Sequence, residues 1–330
     1  MKSVVGMVDV SIYLPPNKLI SDVLVPGKLN ERKLAQIGVK SVPVAQKALA
    51  SDLAINAARA LLEKNKINPK EIDILVYAGS LTPDFLAWLP SARVCHELNL
   101  SNAFGFDLNI GCGSFQLAIK LVSETLCNNK WSTALLVSGD KFDYLTNNQE
   151  TNEVIMGDAG AAMLLKKNYD KNVFFGFDAI TKGYYHDMTL YTGFTPAANK
   201  FIEDNPSIQK DLWTFANKGK LESFLEENID NYIRMSEKVL FDNGMNIEDI
   251  SYVVVPTGRL DIMDKIVQKL NFPREKTNIP FIENLGDCAA SGFAIDIKNI
   301  IDHYQPNSGE YTLCLGAGLG ISWMGSILRH

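Results

Sequence analysis

The chain has 330 residues, 46% of them hydrophobic and 21% charged, an ordinary balance for a globular enzyme of one or two domains with room for a large core. Its net charge of −6, with no stretch that gathers lysines and arginines among aromatics, excludes nucleic-acid binding as the basis of its function. Five scattered cysteines (Cys95, Cys112, Cys127, Cys288, Cys314) form no Cys-x-x-Cys pair and no disulfide framework. With no signal-like apolar core near the start and no apolar run of membrane-spanning length, the expectation is a cytoplasmic protein with reduced thiols.

In chain order, the apolar residues from Ser51 to Lys64 fall at helical spacing behind a Ser51 cap. Ile67-Asn68-Pro69-Lys70-Glu71-Ile72-Asp73 then leads into Ile74 to Gly79, an apolar run of the kind a strand buried on both faces shows. Phe85 to Trp88 reads as core or dimer interface before the wall of an acyl tunnel, and Leu89 to Leu98 is helical. Next, the strand-like Phe106 to Ile110 ends at Gly111-Cys112-Gly113, and an amphipathic helix follows at once. That places a thiol at a helix N-terminus, where the macrodipole predicts a pKa below the usual value of about 8.5 and hence a nucleophile. The alternative for Cys112 is a small buried hydrophobe.

Gly157-Asp158-Ala159-Gly160-Ala161 reads as a close-packed turn into a core strand. The four histidines lack metal-ligand spacing, and His186 beside Asp187 is a weak catalytic candidate in an aromatic loop. Glu222 to Asn243 and Leu260 to Leu270 are helix-patterned, and Gly286-Asp287 opens another apolar helix. Gly316-Ala317-Gly318-Leu319-Gly320 looks superficially like a dinucleotide loop, but a strand pattern from Ile321 to Leu328 follows where a helix is needed. A tight hairpin, its backbone N–H groups facing a reacting carbonyl, suits it better.

Met245-Asn246-Ile247-Glu248-Asp249-Ile250 before Ser251 to Gly258 echoes Ile67 to Gly79. Each copy follows a helix, becomes an apolar run, and is followed by a helix and then a Gly-x turn opening another. The register makes Cys112 and Asp287 equivalent points of two duplicated α/β halves, which a pseudo-two-fold axis would bring to one site.

Tyr13-Leu14-Pro15, Ile37-Gly38-Val39-Lys40, Ser80 to Asp84, Asn109 to Phe115, Gly157 to Ala161, Gly286 to Ser291 and Gly316 to Trp323, in this order, resemble the β-ketoacyl-acyl-carrier-protein synthase III branch of the thiolase superfamily along essentially the whole chain. The resemblance implies a duplicated five-layer αβαβα sandwich, with halves at 1–170 and 171–330, normally assembled as a homodimer. It implies that Cys112 carries an acyl group as a thioester, and that the backbone N–H groups of Cys112 and of Leu319, with Gly318 beside it, form the oxyanion hole. Neither a metal nor a redox cofactor is implied.

The departures from the family pattern matter as much. The family's catalytic His falls at Thr257, or one residue earlier at Pro256, and its catalytic Asn at Asp287. In the family both donate to the carbonyl of a malonyl thioester as it decarboxylates to an enolate. Thr257 can donate one hydrogen bond over a short reach, and an ionised Asp287 only accepts. Losing one such donor costs about two to three powers of ten in rate. Asp287 suits proton acceptance from an incoming hydroxyl, amine or acidic carbon, although a helix start would lower its pKa and burial would raise it.

The family's coenzyme A clasp corresponds to Arg32 and Gln36, and an adenine-contacting Arg to Glu150, an arrangement better suited to a carrier-protein thioester than to tightly held coenzyme A. The expectation is therefore a Cys112 acyltransferase acting without decarboxylation in specialised lipid or secondary-metabolite synthesis. Its donor is an acyl-carrier-protein or coenzyme A thioester. The alternatives are a decarboxylative condensing enzyme, which would release carbon dioxide, and a non-catalytic subunit that completes a homologue's site.

Overall fold

The computed structural model describes the chain apart from residues 1–2, 25–26, 28, 81–83, 86, 129, 143–149, 152–153, 192–212 and 216–217. Leu81 to Pro83 of the Ser80–Asp84 motif and Leu86 of the aromatic segment thus lie outside the described residues. The first half supplies β1 (Val5–Tyr13), α1 (Ala50–Lys64), β2 (Ile74–Tyr77), α2 (Pro90–Glu97), β3 (Phe104–Asp107), α3 (Ser114–Asn128), β4 (Thr133–Asp140) and β5 (Ala159–Lys167). The second supplies β6 (Val173–Thr181), α4 (Leu221–Asp242), β7 (Tyr252–Val254), α5 (Leu260–Lys269), α6 (Ala289–Asn299), β8 (Tyr311–Gly318) and β9 (Ser322–Arg329).

The apolar run at β2 is buried at all its positions, as a strand covered on both faces requires. It pairs in parallel with β3 and β4, while β5 runs antiparallel to β4 and β1, giving the order β1-β5-β4-β2-β3. The second sheet repeats the order as β6-β9-β8-β7, again with one parallel pair next to antiparallel ones. The echo is therefore structural. In each copy a 3₁₀ turn, Pro69–Glu71 or Ile247–Asp249, feeds the parallel strand.

The two sheets and their helices make an α/β sandwich of five layers. Helices α1 and α2 pack on the outer face of the first sheet through Ala54, Ala58, Leu61, Val94, Leu135 and Leu164. In the middle layer α3 and α6 bury Phe115, Ile119, Val122, Phe293 and Ile297 against Val76, Leu136 and Met163 of one sheet and Val254, Cys314 and Leu328 of the other. Helices α4 and α5 close the far side with Met235, Val239, Met263 and Ile266. No helix among the described residues is long and apolar enough to cross a membrane.

One expected detail is different. Helix α1 begins at Ala50, and the Asp52 carboxylate caps it by accepting from the Leu49 N–H at 2.9 Å. Ser51 is fully buried instead, its hydroxyl bonded to the Asp84 carboxylate and to the Arg93 guanidinium.

The cross-strand pair Gly139 and Gly160 lets α1 lie directly on the sheet, since an added Cβ would fall 1.9 Å from the Ala50 carbonyl oxygen and 2.0 Å from that of Leu53. Those obstacles are backbone and cannot swing aside. Gly160→Ala is expected to destabilise the fold by about 1–3 kcal/mol, read as a lowered midpoint in chemical denaturation.

Candidate active site

Cys112 stands at the end of a loop that its neighbours hold rigid. Asn109 accepts the Gly111 N–H at 2.9 Å, and the Ser114 hydroxyl accepts the Ile110 N–H at 2.8 Å while donating to the Gly111 carbonyl at 2.6 Å. Gly111 turns the chain with φ +76°, a conformation costly for any residue with a Cβ, and α3 starts two residues after the cysteine. Gly286 makes the matching turn, φ +68°, before Asp287.

The duplication brings these two turns together. The Cys112 side chain packs in a small cluster with Phe142, Met156, Ala289 and Val154. Asp287 is built into the same cluster: its N–H donates to the Ile155 carbonyl, its own carbonyl accepts from the Gly157 N–H, both at 2.9 Å, and its carboxylate accepts from the Ala289 N–H at 2.7 Å. Both Cys112 and Asp287 keep part of their surface open.

Thr257 follows three residues after β7. The Asn278 carboxamide clamps Val255, accepting its N–H at 3.0 Å and donating to its carbonyl at 2.8 Å, and so fixes the chain just past that strand. The Thr257 hydroxyl then lies over the first turn of α6, 3.3 Å from where a Cβ on Gly292 would stand. Pro256 offers no donor, so of the two candidate positions only Thr257 contributes a polar group.

Beneath the site lies Asp140, 3% exposed, which sequence reasoning did not single out. Its carboxylate accepts from the N–H and hydroxyl of Ser80 and from the N–H and hydroxyl of Ser291, the last two at 2.9 and 2.7 Å. It thereby fastens the α6 start, and with it Asp287, to the ends of β2 and β4. Nothing in a Ser-Gly-Asp strand end announces this, because both partners are distant in sequence.

Burial sets the protonation states. It raises Asp287 to about 6, helped by the charge of Asp140 and opposed by the Ala289 N–H. Burial outweighs the effect of the helix start. The Cys112 thiol is likewise pushed well above its usual range, by burial first and then by the Asp287 and Asp140 charges, against the pull of its own backbone N–H. The expected acidic thiol is corrected: the resting pair is a neutral Cys112 beside an Asp287 that ionises near neutrality.

Other expectations are placed as follows. Gly316 to Gly318 end β8, paired with Met324, Trp323 and Ser322, and residues 319–321 turn the chain into β9. The Leu319 N–H, expected in the oxyanion hole, donates to the Ile110 carbonyl at 2.8 Å. This bond pins the turn onto the Cys112 loop and commits that donor elsewhere. His186 is exposed, and Asp187 pairs with Lys220 at 2.5 Å. Arg32 is exposed on the short helix Glu31–Ile37, and the Glu150 side chain lies outside what the structure describes. Phe85 is 61% exposed and meets Trp88 edge-on, which places it at the surface and not in the core. Among the described residues no cluster of three or more His, Cys, Asp or Glu is arranged to hold a metal ion.

Two family models match the chain: 3-oxoacyl-[acyl-carrier-protein (ACP)] synthase III over residues 106–183, and the C-terminal part of the same family over residues 240–330. Beta-ketoacyl-[acyl-carrier-protein] synthase III of Clostridium tetani is 24% identical over 309 residues, covering 88% of this chain and 87% of the relative. That of Streptococcus mutans is 24% identical over 331 residues, covering 96% of each. Among solved structures, 3-oxoacyl-[acyl-carrier-protein] synthase III from Aquifex aeolicus superposes with a TM-score of 0.83 at 19% identity, covering 99% of this chain and 100% of the other. ChlB3, described as an "aceyltransferase", superposes with a TM-score of 0.84 at 19% identity, covering 99% and 97%. These likenesses agree with the thiolase-like sandwich seen here.

Because Asp287 binds its proton more tightly folded than unfolded, its favourable contribution to stability is complete below pH about 3.8 and lost as pH rises through about 6. Asp287→Asn keeps the acceptor for the Ala289 N–H and removes the buried charge. The variant is expected to exceed the wild type in stability by on the order of 1–3 kcal/mol at pH 8 and to match it near pH 4, read from denaturation curves at both pH values. Equal stability at pH 8 would contradict the buried-charge account.

Proposed function

Given that the chain belongs to the 3-oxoacyl-[acyl-carrier-protein] synthase III family of the thiolase superfamily, we propose that it is an acyltransferase that loads an acyl group onto Cys112 and passes it intact to an acceptor. In loading, Asp287 takes the Cys112 proton as sulfur attacks the donor thioester carbonyl, and the proton leaves with the donor thiol. In transfer, Asp287 takes the proton of an acceptor hydroxyl, amine or acidic carbon as that group attacks the acyl-Cys112 carbonyl. The proton then returns to the departing Cys112 sulfur, which this site does not tolerate as a thiolate. The Cys112 backbone N–H faces the developing oxyanion, and Thr257 contacts the acceptor.

The observation that carries this proposal is the buried Asp287 carboxylate, titrating at about 6 in the cluster that holds Cys112. A base of that strength is ionised at neutral pH yet retains proton affinity. The same charge opposes a negatively charged enolate, so the standard decarboxylative step is disfavoured. Decarboxylative condensation is the second reading, supported by the names of the relatives, which also support an acyl-carrier-protein donor. A donor from an acidic carrier protein would be met by a local patch of lysines and arginines. The proposed setting is the cytoplasm. Exposed Phe104, at 58% on edge strand β3, and exposed Phe85 and Leu89 support a second copy covering that edge.

The rate of acyl discharge from Cys112 to the acceptor is expected to rise about tenfold per pH unit below about 6 and to level off above it, following Asp287 ionisation. Asp287→Asn is expected to lower that rate by about 10²- to 10⁴-fold and to abolish the limb. Malonyl-dependent carbon dioxide release by the wild-type enzyme, lost in Asp287→Asn, would favour condensation.

A further inference from the structure

The first turn of α6 holds two carboxylates from different parts of the chain. Its first intrahelical bond runs from the Gly292 N–H to the Cys288 carbonyl at 3.2 Å, so the N–H groups of Ala289 and Ser291 have no partner within the helix. Asp287 takes the Ala289 N–H at 2.7 Å. Asp140, from the end of β4, takes the Ser291 N–H at 2.9 Å. Two acids thus share one helix start on N–H groups two residues apart, and like charges so placed do not ionise with equal ease.

Their hydrogen bonds decide which acid keeps the charge. One Asp140 oxygen accepts the Ser80 N–H and hydroxyl, and the other accepts those of Ser291, four donors in all. Ser291 gives its hydroxyl proton to Asp140 at 2.7 Å and so accepts from the Ser138 hydroxyl at 2.8 Å, which sets a further residue of β4 behind the same anion. The Asp287 carboxylate accepts the Ala289 N–H alone among the described residues. Donors favour the charged form of a carboxyl, so Asp140 ionises first and Asp287 faces a standing negative charge. Burial raises both acids, Asp287 to about 6, and at Asp140 the Ser80 and Ser291 donors oppose it. The other titratable groups acting on Asp287 are Cys112, Cys288, Asp296 and Tyr232, each pushed by burial toward its neutral form. Asp158, ahead of β5, accepts the Ala45 and Phe142 N–H groups at 2.8 and 3.0 Å.

We propose that Asp140 is a positioning residue for acyl loading and transfer: it holds the permanent charge at the α6 start, and by doing so makes Asp287 a proton acceptor instead of a fixed anion. Asp140 itself gains and loses no proton in either step. Its charge sets how strongly Asp287 binds the proton taken from Cys112 or from the acceptor, and hence the pH below which the enzyme slows. The inference rests on the proton-acceptor role proposed for Asp287.

The test compares wild type, Asp140→Asn and Ser80→Ala by two readouts. The infrared band of the protonated Asp287 carboxyl, identified by its loss in Asp287→Asn, is titrated in the free enzyme. Loading from a medium-chain acyl-carrier-protein thioester is timed against pH by intact-protein mass spectrometry. Asp140→Asn is expected to move the midpoint of the band and of the acid limb about one pH unit lower, because an uncharged neighbour no longer opposes ionisation. Its loading plateau falls roughly threefold, as a weaker base requires. Ser80→Ala removes a donor and keeps the charge, so its midpoint stays within about 0.3 pH unit of wild type. Asp140→Ser, equally uncharged, is the second variant in case Asp140→Asn does not fold. A midpoint unmoved in the folded charge-free variant, or moved as far by Ser80→Ala, overturns the inference and leaves the role of Asp287 standing. Wild-type loading without an acid limb overturns that role, and this inference with it.

Discussion

The site depends on one buried carboxylate. Asp140 is held in the interior by Ser80 from one half of the duplication and Ser291 from the other, so the helix start carrying Asp287 cannot drift from the loop carrying Cys112. A charge in that position is costly unless hydrogen-bonded, and two N–H and two hydroxyl donors offset much of the cost. The charge that survives has a second effect. Added to burial, the larger cause, it helps raise Asp287 and Cys112 together.

Protonation then separates two chemistries available to one fold. A pair of neutral donors would steady an enolate. In the proposed transferase, a carboxylate beside an un-ionised thiol instead relays a proton between an incoming nucleophile and a departing sulfur. Keeping Asp287 buried and ionised works against stability above its pKa, which is the usual relation between a strained functional site and the scaffold that holds it. The rigid Gly111 and Gly286 turns, set in a five-layer core, supply the stability against which that cost is drawn.

Much of this was legible in the chain. The Gly-Cys-Gly helix start, the Gly-Asp helix start and the paired Asn-Pro-Lys-Glu-Ile and Asn-Ile-Glu-Asp-Ile turns are local patterns, and local patterns survive in one dimension. They led to a duplicated sandwich and to the meeting of Cys112 with Asp287. The direction of the Cys112 shift was not legible, because it depends on Asp140 and on burial, both of which are long-range. The commitment of the Leu319 N–H to Ile110 is likewise a contact between segments about two hundred residues apart.

The most direct measurement starts from isolated acyl-Cys112 enzyme, with Cys112→Ala as the blank, and adds malonyl-carrier protein labelled in its free carboxyl group. Intact-protein mass and released label are followed together. The proposed non-decarboxylative transferase predicts an adduct that persists, with no labelled carbon dioxide, until an acceptor nucleophile is supplied. Loss of the adduct in step with labelled carbon dioxide would contradict it and make this protein a condensing enzyme with an unusual Thr257 and Asp287 pair.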